Sequence, residues 1–224
     1  MMLLPLLVWS MAARAAPPSA DGWYLGHSWV GNRRNLPVLG AIETRTDTWV
    51  LARVRAVEGG LEISQQPCAM RIRPVAGVKV GMEPDAVRRL PDARFLLEEL
   101  ATDTAAAEPG LHAPAWTTGW GEEDVDADGL PGATIRVQAA LCGGHLQVAS
   151  STRSEASATW EGAALVGELS VAVQQRILDA SGACLRVVAR DSVEEMSGRF
   201  RYEPAPVGAT CTSSPLEAWP QAAE

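Results

Sequence analysis

Apolar and polar residues alternate through most of the chain beyond Gly22, the pattern of strands with one covered face. Residues 44–57 set Val50, Ala52, Val54 and Ala56 on one side and Arg53 and Arg55 on the other. Glu58-Gly59-Gly60 supplies a turn, and Leu61-Glu62-Ile63 begins a return strand. Met70 and Ile72 then alternate with Arg71 and Arg73. In 134–141, Ile135, Val137, Ala139 and Leu141 oppose Arg136 and Gln138, and Gly143-Gly144 turns the chain into 145–153. Residues 165–177 place Leu165, Leu169, Val171, Val173 and Ile177 against Glu168, Ser170, Gln174 and Arg176. Two more short strands are expected at 185–190 and 199–203. Helical spacing occurs only in 84–100: Pro84 suits a first turn, Ala86, Val87 and Leu90 form a stripe, and Pro91 interrupts it. One or two short helices are expected there. The polar, acidic stretch 101–128 reads as a long surface connection between two strand-rich halves.

About eight to ten strands separated by turns predict an all-β protein, an antiparallel barrel or sandwich with one short helical insert. A single β domain is expected over 22–212, preceded by a disordered leader at 16–21 and followed by a flexible tail at 213–224. The apolar run at 1–13 is too short to span a bilayer, and Ala13-Arg14-Ala15 gives the small-x-small pattern of a signal-peptidase site. Residues 1–15 are therefore expected to be a signal peptide, although no Lys or Arg precedes the apolar run. The protein is then exported, to the periplasm or the medium, with no transmembrane helix.

Composition changes this picture little. Of 224 residues, 47% are hydrophobic, which excludes a wholly disordered chain. The formal charge of -8 argues against a nucleic-acid partner. Lys79 is the single lysine, so the excess of arginine reflects coding bias and carries no functional argument.

The acidity has a local focus. Asp124-Val125-Asp126-Ala127-Asp128-Gly129 puts carboxylates at alternate positions before a glycine that permits a sharp turn, an arrangement suited to a hard cation. It resembles the first half of an EF-hand-type or dockerin-type calcium loop. The resemblance implies Asp124, Asp126 and Asp128 as the first three ligands and the Leu130 carbonyl as the next. The twelfth position is Ile135, where that family carries a bidentate Glu, and a strand follows in place of a helix. A reduced calcium site or a plain Asp/Gly turn are the two readings.

Four cysteines suit two disulfides in an oxidising compartment. Of three pairings, Cys68 with Cys211 and Cys142 with Cys184 is preferred, because it closes the longest loop. Eight Trp against two Phe and two Tyr is an unusual ratio. Trp116 and Trp120, close to the acidic loop, are the candidates for stacking on a small ligand, against the alternative of packing. Gly22-Trp23-Tyr24, with Arg199 or Arg201 late in the chain, resembles the lipocalin pattern. That resemblance implies a barrel holding a small apolar ligand, with an Arg packed over Trp23 at its closed end.

No nucleophile-elbow, zinc-protease, P-loop or dinucleotide-binding motif is present. The expectation is an exported, non-enzymatic protein that binds a small molecule or a protein partner. The alternatives are a secreted hydrolase without a recognisable motif and an outer-membrane barrel.

Overall fold

The structure, a computed structural model, describes residues 20–36, 40–100, 110–140, 142–212 and 216–223. The expected signal peptide, most of the expected leader and Leu141 lie outside the described residues. Among the described residues ten strands form: β1 Gly22–Leu36, β2 Gly40–Val57, β3 Gly60–Ile72, β4 Lys79–Gly81, β5 Ala93–Glu99, β6 Leu111–Trp120, β7 Ala133–Gln138, β8 Gly144–Glu161, β9 Ala164–Ala180 and β10 Ser192–Pro204. Two short helices, α1 Pro84–Arg89 and α2 Ala183–Val188, interrupt them.

All neighbouring strands are antiparallel, and β9 pairs with β8 as well as with β10. That pairing closes β8, β6, β5, β3, β2, β1, β10 and β9 into a ring, with β7 following β6 along the same edge of β8 and β4 paired to β7. With β4 and β7 set aside, the ring follows chain order, the up-and-down barrel arrangement.

The period-two pattern decides which face turns inward. Tyr24, Ala52, Val54, Ile63, Leu97, Leu165, Phe200 and Tyr202 fill one end of the ring. Outward positions of β8 are Ser151, Arg153, Glu155, Ser157 and Thr159. The β2 run Trp49-Val50-Leu51-Ala52 is apolar on both faces, and both are covered. Val50 and Ala52 join the interior, whereas Trp49 and Leu51 lie beneath the C-terminal segment with Leu25, Cys68 and Trp219.

Four sequence expectations change. Residues 93–99 form a strand, not a helix: once Pro91 ends α1, Ala93 and Leu97 are buried while Arg94, Leu96 and Glu98 are exposed. Within the expected surface connection, 111–120 is strand β6. Residues 183–188 are helical and take in most of the strand expected at 185–190. Gly182 takes a φ of 88° that ends the preceding strand, and Leu185 is buried. Of the expected tail, residues 216–223 form a strap on the wall: a 3-10 turn spans Leu216–Ala218, and Trp219 is 3% exposed.

Disulfides join Cys68 to Cys211 and Cys142 to Cys184. The first ties the segment that follows β10 to β3. No helix among the described residues is long and apolar enough to cross a membrane.

Candidate functional site: an interior cavity beside a carboxylate loop

An eight-stranded ring is just wide enough for side chains to fill it or for one small ligand to replace them. Here the two ends differ. At the packed end, Phe200, Tyr202 and Val50 form a floor, and the Tyr202 hydroxyl donates to Gln65 Oε1 at 2.5 Å. Burial pushes the Tyr202 phenol above its ordinary range, so it stays protonated as a donor. Gly26 makes room for this floor, since a Cβ there would run into the Tyr202 ring.

Above the floor the inward residues become small. Ser28, Thr46, Thr48, Ser150, Thr152 and Ser154 cannot fill the ring, and a cavity of about 300 Å³ remains. Val30, Met70, Ile72, Val171, Val173 and Met196 complete much of its apolar wall, and the described lining contains no charged side chain.

Both tryptophans singled out from the sequence line this cavity, from a strand and not from a loop. Trp116 stacks on Phe95, with ring centroids 4.2 Å apart at 14°. Trp120 donates its indole N–H to the Val148 carbonyl at 2.7 Å. The Phe95–Trp116 stack sits where the wall splits: β5 and β6 pair only through Glu98–His112 and Glu99–Leu111. The α1 segment adds Met82, Leu90 and Pro91 to the lining.

The carboxylate loop is an excursion from the same wall. Trp120 pairs with Ser150, and Ala133 with Val148, so β6 and β7 continue one another along β8 while 121–132 bulge away. Gly132, at a φ of 76°, lets the chain rejoin close to the Val148 carbonyl. Asp124, Asp126 and Asp128 each offer an oxygen within 4.8 Å of the others.

Their partners differ. Asp124 accepts from the Asp128 and Gly129 amides at 3.1 and 2.9 Å. Asp128 accepts from the Leu130 amide at 2.9 Å and the Thr134 hydroxyl at 2.6 Å. Asp126 is 8% exposed; its Oδ2 accepts from the Thr134 amide at 2.7 Å, and its Oδ1 is buried with no hydrogen-bond partner. Burial, reinforced by the charges of Asp128 and Asp124, raises its pKa against the lowering effect of the Thr134 amide. Leu130, the expected carbonyl ligand, is in the same loop with its side chain exposed.

Two further groupings escape sequence reasoning. His27, 1% exposed, lies on the outer wall beneath the strap. Its Nδ1 accepts from the Ala222 amide at 2.9 Å, and its Nε2 faces Asp47 Oδ1 at 3.3 Å. Arg89, at the end of α1, donates to the Asp126 carbonyl at 2.9 Å. Neither has a local motif; only the fold joins positions so far apart. The cation over Trp23 is Arg53, 5.7 Å from the ring centroid, whereas Arg201 pairs with Glu203 and Glu161. Compared with known protein families, curated proteins and solved structures, the chain matches none.

Proposed function

We propose that this is an exported binding protein that holds one small, neutral, mainly apolar molecule inside its barrel. The observation that carries the reading is the cavity of about 300 Å³, walled by alternating side chains of the ring and stopped by an aromatic floor. Its volume lies at the lower end of ligand sites, which favours a compact molecule. An ionic group entering it would lose water without gaining a counter-ion, whereas Ser, Thr and Gln side chains satisfy a hydroxyl or carbonyl. Export is supported by the signal-like first residues and by two disulfides. An outer-membrane barrel would present apolar side chains outward; Arg153 and Glu155 on β8 argue against that reading.

Binding is tested with N-phenyl-1-naphthylamine, a neutral apolar fluorophore. Its emission should rise in the presence of the full chain, with a stoichiometry of about one. Thr152→Phe, which places a ring in the cavity, should abolish the rise without lowering the melting temperature. Equal probe binding by the variant and the parent chain would refute the cavity as the site.

The carboxylate loop is read as a calcium site, on the strength of the buried, unpartnered Asp126 Oδ1 beside two further carboxylates. Three carboxylates without a bidentate Glu suit the weak affinities of extracellular calcium modules, about 0.1–1 mM. Calorimetric titration of calcium into the full chain should give heat in that range. A flat titration leaves an ordinary turn.

A further inference from the structure

The wall of the ring is interrupted where β5 and β6 diverge above Glu98–His112. Pro91, Thr118, Gly119, Trp120 and Ser150 line the interior cavity and also an outer cleft at this split. The two spaces thus share these residues as a common wall. Beside the split lies α1, which packs chiefly on β3; Leu90 after it lines the cavity, and Pro91 lines both spaces. On one side α1 lies toward β3, where Gln66 Nε2 reaches the Arg88 carbonyl at 3.5 Å. On the other side it is fastened by two polar contacts. Arg89 donates to the Asp126 carbonyl at 2.9 Å, and Arg136 of β7 pairs with Glu83 at 2.7 Å.

One fastening is thus made to the carboxylate loop itself, at the residue whose Oδ1 is buried without a partner. The Asp126 carboxylate is also tied to β7 through the Thr134 amide. A cation drawing Asp124, Asp126 and Asp128 together would fix the backbone of Asp126, and with it the acceptor that Arg89 uses. Without the cation, repulsion among the three carboxylates works against a fixed loop.

We propose that the split between β5 and β6 is a side portal to the cavity, and that a divalent cation on the carboxylate loop holds it shut by fixing the Asp126 end of the Arg89 contact. This rests on the cavity and cation readings above. Cation binding then changes how fast a ligand exchanges more than how tightly it is held, because the portal is a route and not the binding surface.

Stopped-flow release of N-phenyl-1-naphthylamine from the full chain tests this, in about 1 mM calcium and in EDTA. Calcium should slow release about fivefold or more. Arg89→Met, which touches neither cavity nor carboxylates, should retain calcium binding by calorimetry. It should also speed probe association and release together in calcium, leaving their ratio nearly unchanged. If calcium and probe both bind but release is equally fast in calcium and in EDTA, the coupling is overturned while both parent readings stand. If Arg89→Met exchanges probe at the parent rate, the portal is overturned. A calorimetric blank overturns control by the cation and the calcium reading together, and an absence of probe binding removes the cavity reading instead.

Discussion

Asp126 is the residue at which the energetic conflict in the loop is concentrated. Its pKa is raised chiefly by burial, so the folded chain holds this proton more tightly than the unfolded chain. A raised folded-state pKa stabilises the fold below the unfolded carboxylate value, and that contribution is lost as pH rises through the folded value. At neutral pH, without a cation, the ionised group therefore works against folding. Asp126→Asn keeps an oxygen for the Thr134 amide and removes the charge. In EDTA it should melt higher by a few degrees, on the order of 1 kcal/mol, and it should gain nothing from calcium. A lower melting temperature in EDTA would mean that the carboxylate supports the loop without a cation. The spacing of the three aspartates was readable in the sequence; the burial of the middle one was not, because it depends on β7 returning beneath the loop. Gly26 was equally opaque: a glycine in an alternating strand says nothing until the Tyr202 ring is seen to occupy the space beside it.

Strands with clean alternation were legible as elements. β2, β7 and β9 present the faces their sequences announce, because a period of two leaves a single way to bury the apolar side. Elements failed where that signal was diluted. β6 carries Thr118 and Gly119 along a cavity that tolerates polarity, and it therefore resembled a connection. The strap failed because its apolar anchors, Trp219 and Ala222, are too few to show a period. Its contact with the wall is nonetheless specific. Because His27 Nδ1 accepts the Ala222 amide, the ring proton resides on Nε2, toward Asp47. Burial lowers the His27 pKa; Arg45 adds to this, and the attraction of Asp47 opposes it. Arg73, 3.6 Å from Asp47, and Arg71, over the Trp49 ring beside His27, are further cations near the group. With the folded value below the unfolded one, stability is complete above the ordinary imidazole value of about 6.5. It declines as pH falls from there toward the folded value, because the unfolded chain takes the proton first. A proton on Nδ1 would oppose the Ala222 N–H directly. Amide exchange of Ala222, corrected for intrinsic rates, should accelerate between pH 7.5 and 5.5. His27→Gln, which offers an acceptor that does not titrate in this range, should flatten the profile. Unchanged protection in the parent chain would exclude His27 as the cause.

For the molecule as a whole, the sequence indicated an antiparallel all-β fold and left barrel and sandwich open. Closure is a property of pairing between β8 and β9 at the same time as β9 and β10, and no local pattern carries it. The ring also explains how one sequence yields both a packed and a hollow half. Inward positions are large near the β2–β3 turn and small along the first half of β8, so volume is gained at one end only. The Cys68–Cys211 bridge adds a different kind of continuity. One partner precedes the β5–β6 connection and the other follows it, 143 residues further along the chain. A protease that severs the backbone once between β5 and β6 would produce two polypeptides but not two molecules. The pieces would migrate as one species until a reductant separates them. Cleavage at that connection would thus be a covalent modification the protein survives, with both sides of the portal retained.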